Sequence, residues 1–215
     1  MLKNSNIYSY LCANVIILNV IKNEYFFSTN NNIAIVYAVQ NEYKSAIKIF
    51  KQNLLLHKQN DNKNGIALSN MNLGFLFYSK KKYDKALKYT IKAQTILKEI
   101  GETLKADRLN LNLLNIYIDS GDYSSSWEKA APVFQKSISN EKWVHSLSET
   151  RMPLGEAMSR SVQAASGHNS LPCAPDGEYI VVSLATSFEH KKSALETVTL
   201  TKTSDTWSVA GYFIK

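Results

Sequence analysis

The sequence predicts an α+β protein, an array of helical hairpins followed by a domain with a four-stranded antiparallel sheet. Three observations predict it. The first half repeats its own text every 40 residues, as stacked units do when each buries its apolar face only against its neighbours. From about residue 157 the apolar spacing changes from helical to alternating, the period of a half-buried strand. Charge divides in the same place: residues 1–120 carry 16 Lys and Arg against 8 Asp and Glu, and residues 121–215 carry 9 against 10. The net charge of +7 over 215 residues therefore belongs to the first half alone. With 45% hydrophobic and 20% charged residues the chain is ordinary globular protein, neither disordered nor collagen-like. Its two cysteines, Cys12 and Cys173, supply neither a disulfide framework nor a four-ligand zinc site.

The repeat is anchored by Tyr43, Tyr83 and Tyr123, in NEYKSAIKIF at 41–50, KKYDKALKYT at 81–90 and GDYSSSWEKA at 121–130. Small residues, Ala46, Ala86 and Ser126, stand three positions after each tyrosine, and Tyr37, Phe77 and Tyr117 stand six before. Each unit reads as two helices joined by a short polar turn. Over 66–79 the apolar residues Ile66, Met71, Leu73, Leu76 and Phe77 spread widely, as in a helix contacted on more than one side. Over 83–100, Tyr83, Ala86, Leu87, Ile91, Ile96, Leu97 and Ile100 make a cleaner helical stripe. Gly74 and Ala86 are small enough to let the two helices approach closely.

Leu73-Gly74, Phe77, Tyr83, Ala86 and Ala93 fall on the spacing of the tetratricopeptide repeat, W-x2-L-G-x2-Y followed by A-x3-F, and the first half resembles that family. Asn70 stands at the tryptophan position, the closing proline is absent, and the period is six residues longer, which helices about three residues longer explain. The preceding unit, with Ile33-Ala34, Tyr37, Tyr43, Ala46 and Phe50, fits nearly as well, and Ala13 two periods before Ala93 suggests a further half unit at 3–20. The resemblance implies a concave side, lined by the first helix of each hairpin, that binds a protein or peptide. Its positions are Met71, Asn72, Phe75 and Tyr78 in one unit and Arg108, Leu111, Asn112 and Asn115 in the next. Asparagine amides both donate to and accept from an extended backbone, although asparagine is abundant throughout residues 4–72. Lys80, Lys81, Lys82, Lys85 and Lys88 form the densest basic cluster. Without interleaved arginines and stacking aromatics it reads as a solvated helix face, so no nucleic-acid partner is expected.

In the second half, helices are expected at about 122–137 and 139–151 and strands at 157–165, 178–188, 193–201 and 206–214. Pro175-Asp176-Gly177 reads as a turn with Gly177 in the positive-φ position, and 189–192 and 203–205 close two hairpins. A bent sheet with helices on one face resembles cystatin-like and nuclear-transport-factor-like cones. GDYSSSW at 121–127, PLG at 153–155, SLPCAPDGEY at 170–179, ETVTL at 196–200 and WSVAGYFIK at 207–215 are similar to a small bacterial family, domain of unknown function 4019, over about 119–215. Cys173 stands where that family usually has glycine. The family brings no activity with it.

No catalytic residue emerges. His145, His168 and His190 lack a metal-ligand spacing, Ser161, Ser170 and Cys173 lack a nucleophile motif, and no glycine-rich phosphate loop exists; neither a metal nor a cofactor is expected. One charged pair stands out. Alternation places Arg160 with Met158 and Val162, and Glu196 with Ala194, Val198 and Leu200. If these are inner faces, the two charges should meet inside the cone, because an unpaired buried charge is very costly. Trp127, Trp143 and Tyr179 would wall the same space. An ion pair fixing the sheet to its helices is the better reading than a ligand-orienting pair.

The expected domains are 1–105, the repeats, and 106–215, the α+β unit, with the helix carrying Leu109, Leu113 and Ile116 shared between them and no flexible linker. The apolar segment 7–21 is too short to span a bilayer and lacks a signal-peptide cleavage site, which favours the cytoplasm over export. The function expected is non-catalytic, capture of a protein or peptide. The alternative is a small-molecule binder or enzyme using the cone interior; a part of a larger sensor is a third option.

Overall fold

The computed structural model describes residues 27–172 and 174–215; the segment 7–21, Ala13, Cys12 and Cys173 lie outside the described residues. Among the described residues the array runs from α1, which covers 27–39, through α2 (Tyr43–Gln59), α3 (Lys63–Ser79) and α4 (Tyr83–Glu99) to α5 (Thr103–Ser120). Helices α2, α3 and α4 are each 17 residues long and are separated by three-residue connectors. Every connector holds one left-handed residue: Asn41, Asp61, Lys81, Gly101 and Gly121, with φ from 53° to 79°. The residue after it donates back into the helix, Lys82 N–H to Phe77 C=O at 2.8 Å, with Asn62 to His57, Glu102 to Leu97 and Asp122 to Tyr117 repeating the bond. This is the Schellman arrangement, which satisfies otherwise orphaned carbonyls. The 40-residue period is thus two equal 20-residue halves.

The hairpins pack through small residues. A Cβ on Gly74 would lie 2.5 Å from Thr90 Oγ1 and 3.3 Å from the Thr90 backbone nitrogen, so α3 and α4 touch almost backbone to backbone. Ala46, Ala86 and Ser126, the small residue of each unit, are all buried. Helix α3 lies between α2 and α4, which is why its apolar residues spread around it; Leu73, Leu76 and Phe77 join Ala46, Phe50, Ala86 and Ile116 in one core.

The helix expected at 122–137 is instead two, α6 (Tyr123–Glu128) and α7 (Pro132–Ser137). Pro132 has no N–H to continue the ladder and disfavours helical geometry in the residue before it. Ala131 is extended (φ −60°, ψ 146°), and its N–H donates to Val209 C=O at 2.7 Å. Helix α8 (Asn140–Arg151) follows, capped by the Ser139 hydroxyl.

The sheet is an antiparallel meander, β1 (Ala157–His168), β2 (Tyr179–Phe188), β3 (Ala194–Thr203) and β4 (Thr206–Ile214), in that spatial order. Ser204 and Asp205, both at positive φ, form the two-residue turn whose twist suits a hairpin. Gly177 is not left-handed as expected; the glycines with positive φ are Gly101, Gly121 and Gly155. A ten-residue loop joins β1 to β2, so no tight turn is required, and Gly177 N–H closes that loop on Asn169 C=O at 3.0 Å.

One face of the sheet is covered. Val182, Leu184, Val198, Leu200, Val209 and Tyr212 pack on Leu114 and Ile118 of α5, Tyr123, Trp143 and Leu147. Helix α5 faces both ways: Leu109 packs with Ala67, Ala93 and Leu97 of the array, while Leu114 and Ile118 face the sheet. Array and sheet therefore meet directly. The β4 edge is closed by Ala131 at Val209 and by Asp107 and Asn110, which bond the Trp207 N–H and C=O. Among the described residues β1 pairs with β2 alone and forms the other edge. No helix among the described residues is long and apolar enough to cross a membrane.

Candidate functional site

Arg160 sits on the edge strand β1, opposite Thr186 of β2, and its side chain turns under the helices. All five of its N–H groups are engaged. Nε and one terminal nitrogen hold Glu196 of β3 at 2.5 and 3.0 Å; the two terminal nitrogens hold Asp119 of α5 at 2.9 and 3.2 Å, and one also donates to the Tyr78 hydroxyl of α3 at 2.7 Å. Arg151 of α8 adds a bond to Asp119 at 3.0 Å and lies 4.5 Å over the Phe188 ring.

Both carboxylates are saturated. Asp119 accepts from Arg151, twice from Arg160, and from the Tyr78 hydroxyl at 2.5 Å. Glu196, fully buried, accepts twice from Arg160 and once each from the Thr186 and Tyr212 hydroxyls. Two cations face two anions, and four acceptor sites per carboxylate are filled. The unpartnered polar atom here is Arg151 Nε.

The electrostatics follow from burial. Desolvation works to raise the Asp119 pKa, but the hydrogen bonds and charge of Arg160, with Tyr78 and Arg151, outweigh it and hold the carboxyl below its ordinary value. Burial, then the Asp119 charge, pushes the Tyr78 phenol well up; burial and Glu196 do the same to Tyr212. Arg160 loses hydration but gains more from Glu196 and Asp119, so its pKa rises. Around neutrality these shifts favour an ionised Asp119, protonated Tyr78 and Tyr212 phenols and a charged Arg160.

Beside the network lies a cleft of about 220 Å³ between α3, α5 and β1. Met71, Phe75, Tyr78, Asn112 and Asn115 line it from the helices, and Arg160 and Val162 from the strand. Phe75 is 64% exposed and Val162 62%. The Asn115 Oδ1 is buried without a hydrogen-bond partner. A second groove shares Phe75 and runs toward α1, past Asn72, Ile35 and Val39.

Six of the residues expected on the concave face, Met71, Phe75, Tyr78, Leu111, Asn112 and Asn115, thus share one cleft, Asn72 lies in the adjoining groove, and Arg108 is exposed outside both. Arg160 and Glu196 meet. Tyr179 does not join them: it lies out of phase with Thr186 along β2, on the opposite face, and donates to Pro175 C=O at 2.6 Å. Trp127 and Trp143 belong to the apolar layer. Trp127 Nε1 bonds Ile138 C=O and Trp143 Nε1 the Ser126 hydroxyl, both at 2.9 Å, and Phe134 stands edge-on to Trp143. Both rings pack with the apolar core between the helices and the sheet. Asp119, Arg151, Thr186 and Tyr212 went unseen in the sequence, and Val162 was read as an inner-face neighbour of Arg160 rather than as part of a cleft; Asp119 gave a signal, an acid ending the apolar run 109–118 of α5.

Among the described residues no group of three or more His, Cys, Asp and Glu is placed to hold a metal ion. Compared with known families, residues 25–99 match the tetratricopeptide repeat, and residues 112–212 match a protein family of unknown function, DUF4019. No curated protein matches the chain.

Proposed function

Because this chain carries tetratricopeptide repeats followed by a DUF4019 domain, we propose that it captures an uncharged, apolar segment of a protein partner along the concave side of its repeats. The observation that carries this reading is Phe75, a large exposed aromatic joining two grooves on a face almost without charge. Over 27–39 and 63–79, which form α1 and α3, the one charged residue is Lys63, whereas α2 and α4 carry the lysines. Met71, Phe75 and Val162 take the apolar side chains of the segment. Asn72, Asn112 and Asn115 hydrogen-bond its backbone, and the bare Asn115 Oδ1 accepts an N–H. Arg108 lies at the rim.

In this reading the division falls near 105/106, with α5 common to both parts. The DUF4019 domain supplies one wall of the cleft, and the Arg160 network fixes that wall against α3 and α5. Against a small-molecule site inside the sheet stand the filled apolar layer and the complete pairing of Arg160 with Glu196 and Asp119. No lysine of α2 or α4 lines the cleft, which supports a protein segment over nucleic acid as its occupant.

The test is a side-by-side capture with the full chain, Phe75→Asp and Lys88→Ala as baits. The reading expects a protein held by the unaltered chain and by Lys88→Ala and lost with Phe75→Asp. Equal capture by all three would overturn it.

A further inference from the structure

The two edges of the sheet are finished differently. Along β4, Ala131 bonds the Val209 C=O, Asn110 the Trp207 C=O and Asp107 the Trp207 N–H. Along β1 no element among the described residues does the same. Strand β1 is also the longest of the four, 12 residues against 10, 10 and 9, and beyond Arg160 every residue to His168 is exposed. An edge strand presents a row of unpaired N–H and C=O groups, a template for another extended chain, and folded proteins blunt it with lysine, proline or inward charges. Between Ser161 and Gly167 there is neither a charged residue nor a proline, and the inward charge, Arg160, is held by Asp119 and Glu196. Register shifts at Ala157/Ser159 and Val162/Ala164 bend the strand. Between them Ser159, Arg160, Ser161 and Val162 keep unbroken register with β2, and this is the stretch that borders the cleft.

We propose that the segment this protein captures adds to the β1 edge as a fifth strand, an extended, uncharged stretch of a partner protein with apolar residues at alternate positions. The proposal rests on the capture reading above and names the form in which the segment is held. A strand set against this edge lies about 4.8 Å from β1 and projects alternate side chains, roughly 6.6 Å apart, to the cleft side. There Met71, Phe75 and Val162 offer apolar surface, and both Phe75 and Val162 are exposed. The backbone of the segment supplies the donors and acceptors that the edge lacks, the pairing of β-augmentation. Charge sets the composition of the occupant. No acid lines the cleft, and Arg160, the cation that does, is fully paired, so a charged segment finds no counter-ion there.

The test uses the full chain and a short blocked peptide that alternates threonine with valine and leucine, read by calorimetry and by hydrogen exchange. Neighbouring N–H groups of an extended strand point to opposite edges. The peptide is therefore also made N-methylated at its threonines alone and at its apolar residues alone. The proposal expects binding tighter than about 1 mM, lost with Phe75→Asp. It expects the fast-exchanging amides of 159–165 to slow about tenfold or more in the complex while β3 is unchanged, and one methylation pattern to bind about tenfold more weakly than the other. Binding that needs Phe75 yet ignores the methylation pattern and leaves β1 exchange unaltered would overturn the added strand and leave the capture reading standing. No binding at ~1 mM would overturn it too. So would outward amides of 159–165 already protected in the free chain: protection lost on dilution makes a second copy the occupant, and protection kept makes the chain its own cover.

Discussion

Removing the Asp119 carboxylate is the sharpest perturbation of the buried network. In Asp119→Ala, two N–H groups of Arg160, one of Arg151 and the Tyr78 hydroxyl each lose an acceptor. Two guanidinium charges are then left with the single carboxylate of Glu196, which bonds Arg160, in a region nearly sealed from water. Breaking a buried pair by deleting one partner costs about 3–5 kcal/mol, a large part of the ~5–15 kcal/mol that holds a domain together. Urea unfolding followed by the fluorescence of Trp127, Trp143 and Trp207 should show a lower midpoint with an unchanged slope. Glu156→Ala provides the contrast, because its ion pair with Lys81 is solvent-exposed and such pairs contribute within about 1 kcal/mol. Acid gives a second readout. The folded Asp119 pKa is lowered, so its contribution is present above its unfolded value and lost as pH falls through the folded one. Asp119→Asn should flatten that acid limb. A loss below about 1 kcal/mol in Asp119→Ala would refute the picture of a dry, saturated network.

Other outcomes follow from single contacts. Gly121→Ala meets no atom within 4 Å but must hold φ at 79°, so chemical denaturation should show a loss of about 1 kcal/mol from backbone conformation alone. Gly74→Ala should lose more, about 1–3 kcal/mol, because the added methyl presses on Thr90. Burial lowers the His57 pKa, so the unfolded chain takes up a proton first as pH falls through about 6.5, and stability should drop from there toward the folded value. His57→Leu, which places there the residue found at Leu97 one period on, should remove that dependence in thermal melts taken between pH 7 and 5. Phe75→Asp, at an exposed site, should leave the melting temperature nearly unchanged while abolishing partner capture.

The array was legible because its constraints are local. Polar turns between the helices and small residues at Gly74, Ala86 and Ala93 are properties of residue types at fixed offsets. The strands were legible for the same reason, and β1 runs only three residues past the predicted 157–165. The break between α6 and α7 was written in Pro132 but masked by the repeat, which led the reading across it. Gly177 was misjudged because a Pro-Asp-Gly string suggests a tight turn, whereas the long loop relieves it. The site was half visible. Arg160 and Glu196 could be paired from alternation and the cost of a buried charge, and the concave positions came from motif spacing. That Tyr78 and Arg160 would touch across 82 residues, and that Val162 would face Phe75 across one cleft, depends on how α5 crosses the sheet, which no local pattern encodes.

That array and sheet form one body around this cleft is tested most directly by limited proteolysis of the native full chain, with the products sized by mass spectrometry. Helix α5 packs on α4 on one side and on the sheet on the other, and Asp119, Arg160 and Tyr78 tie α5, β1 and α3 together. The expected result is no cut between 100 and 123 until the whole chain unfolds. Two stable fragments divided near residues 101–107 would contradict it.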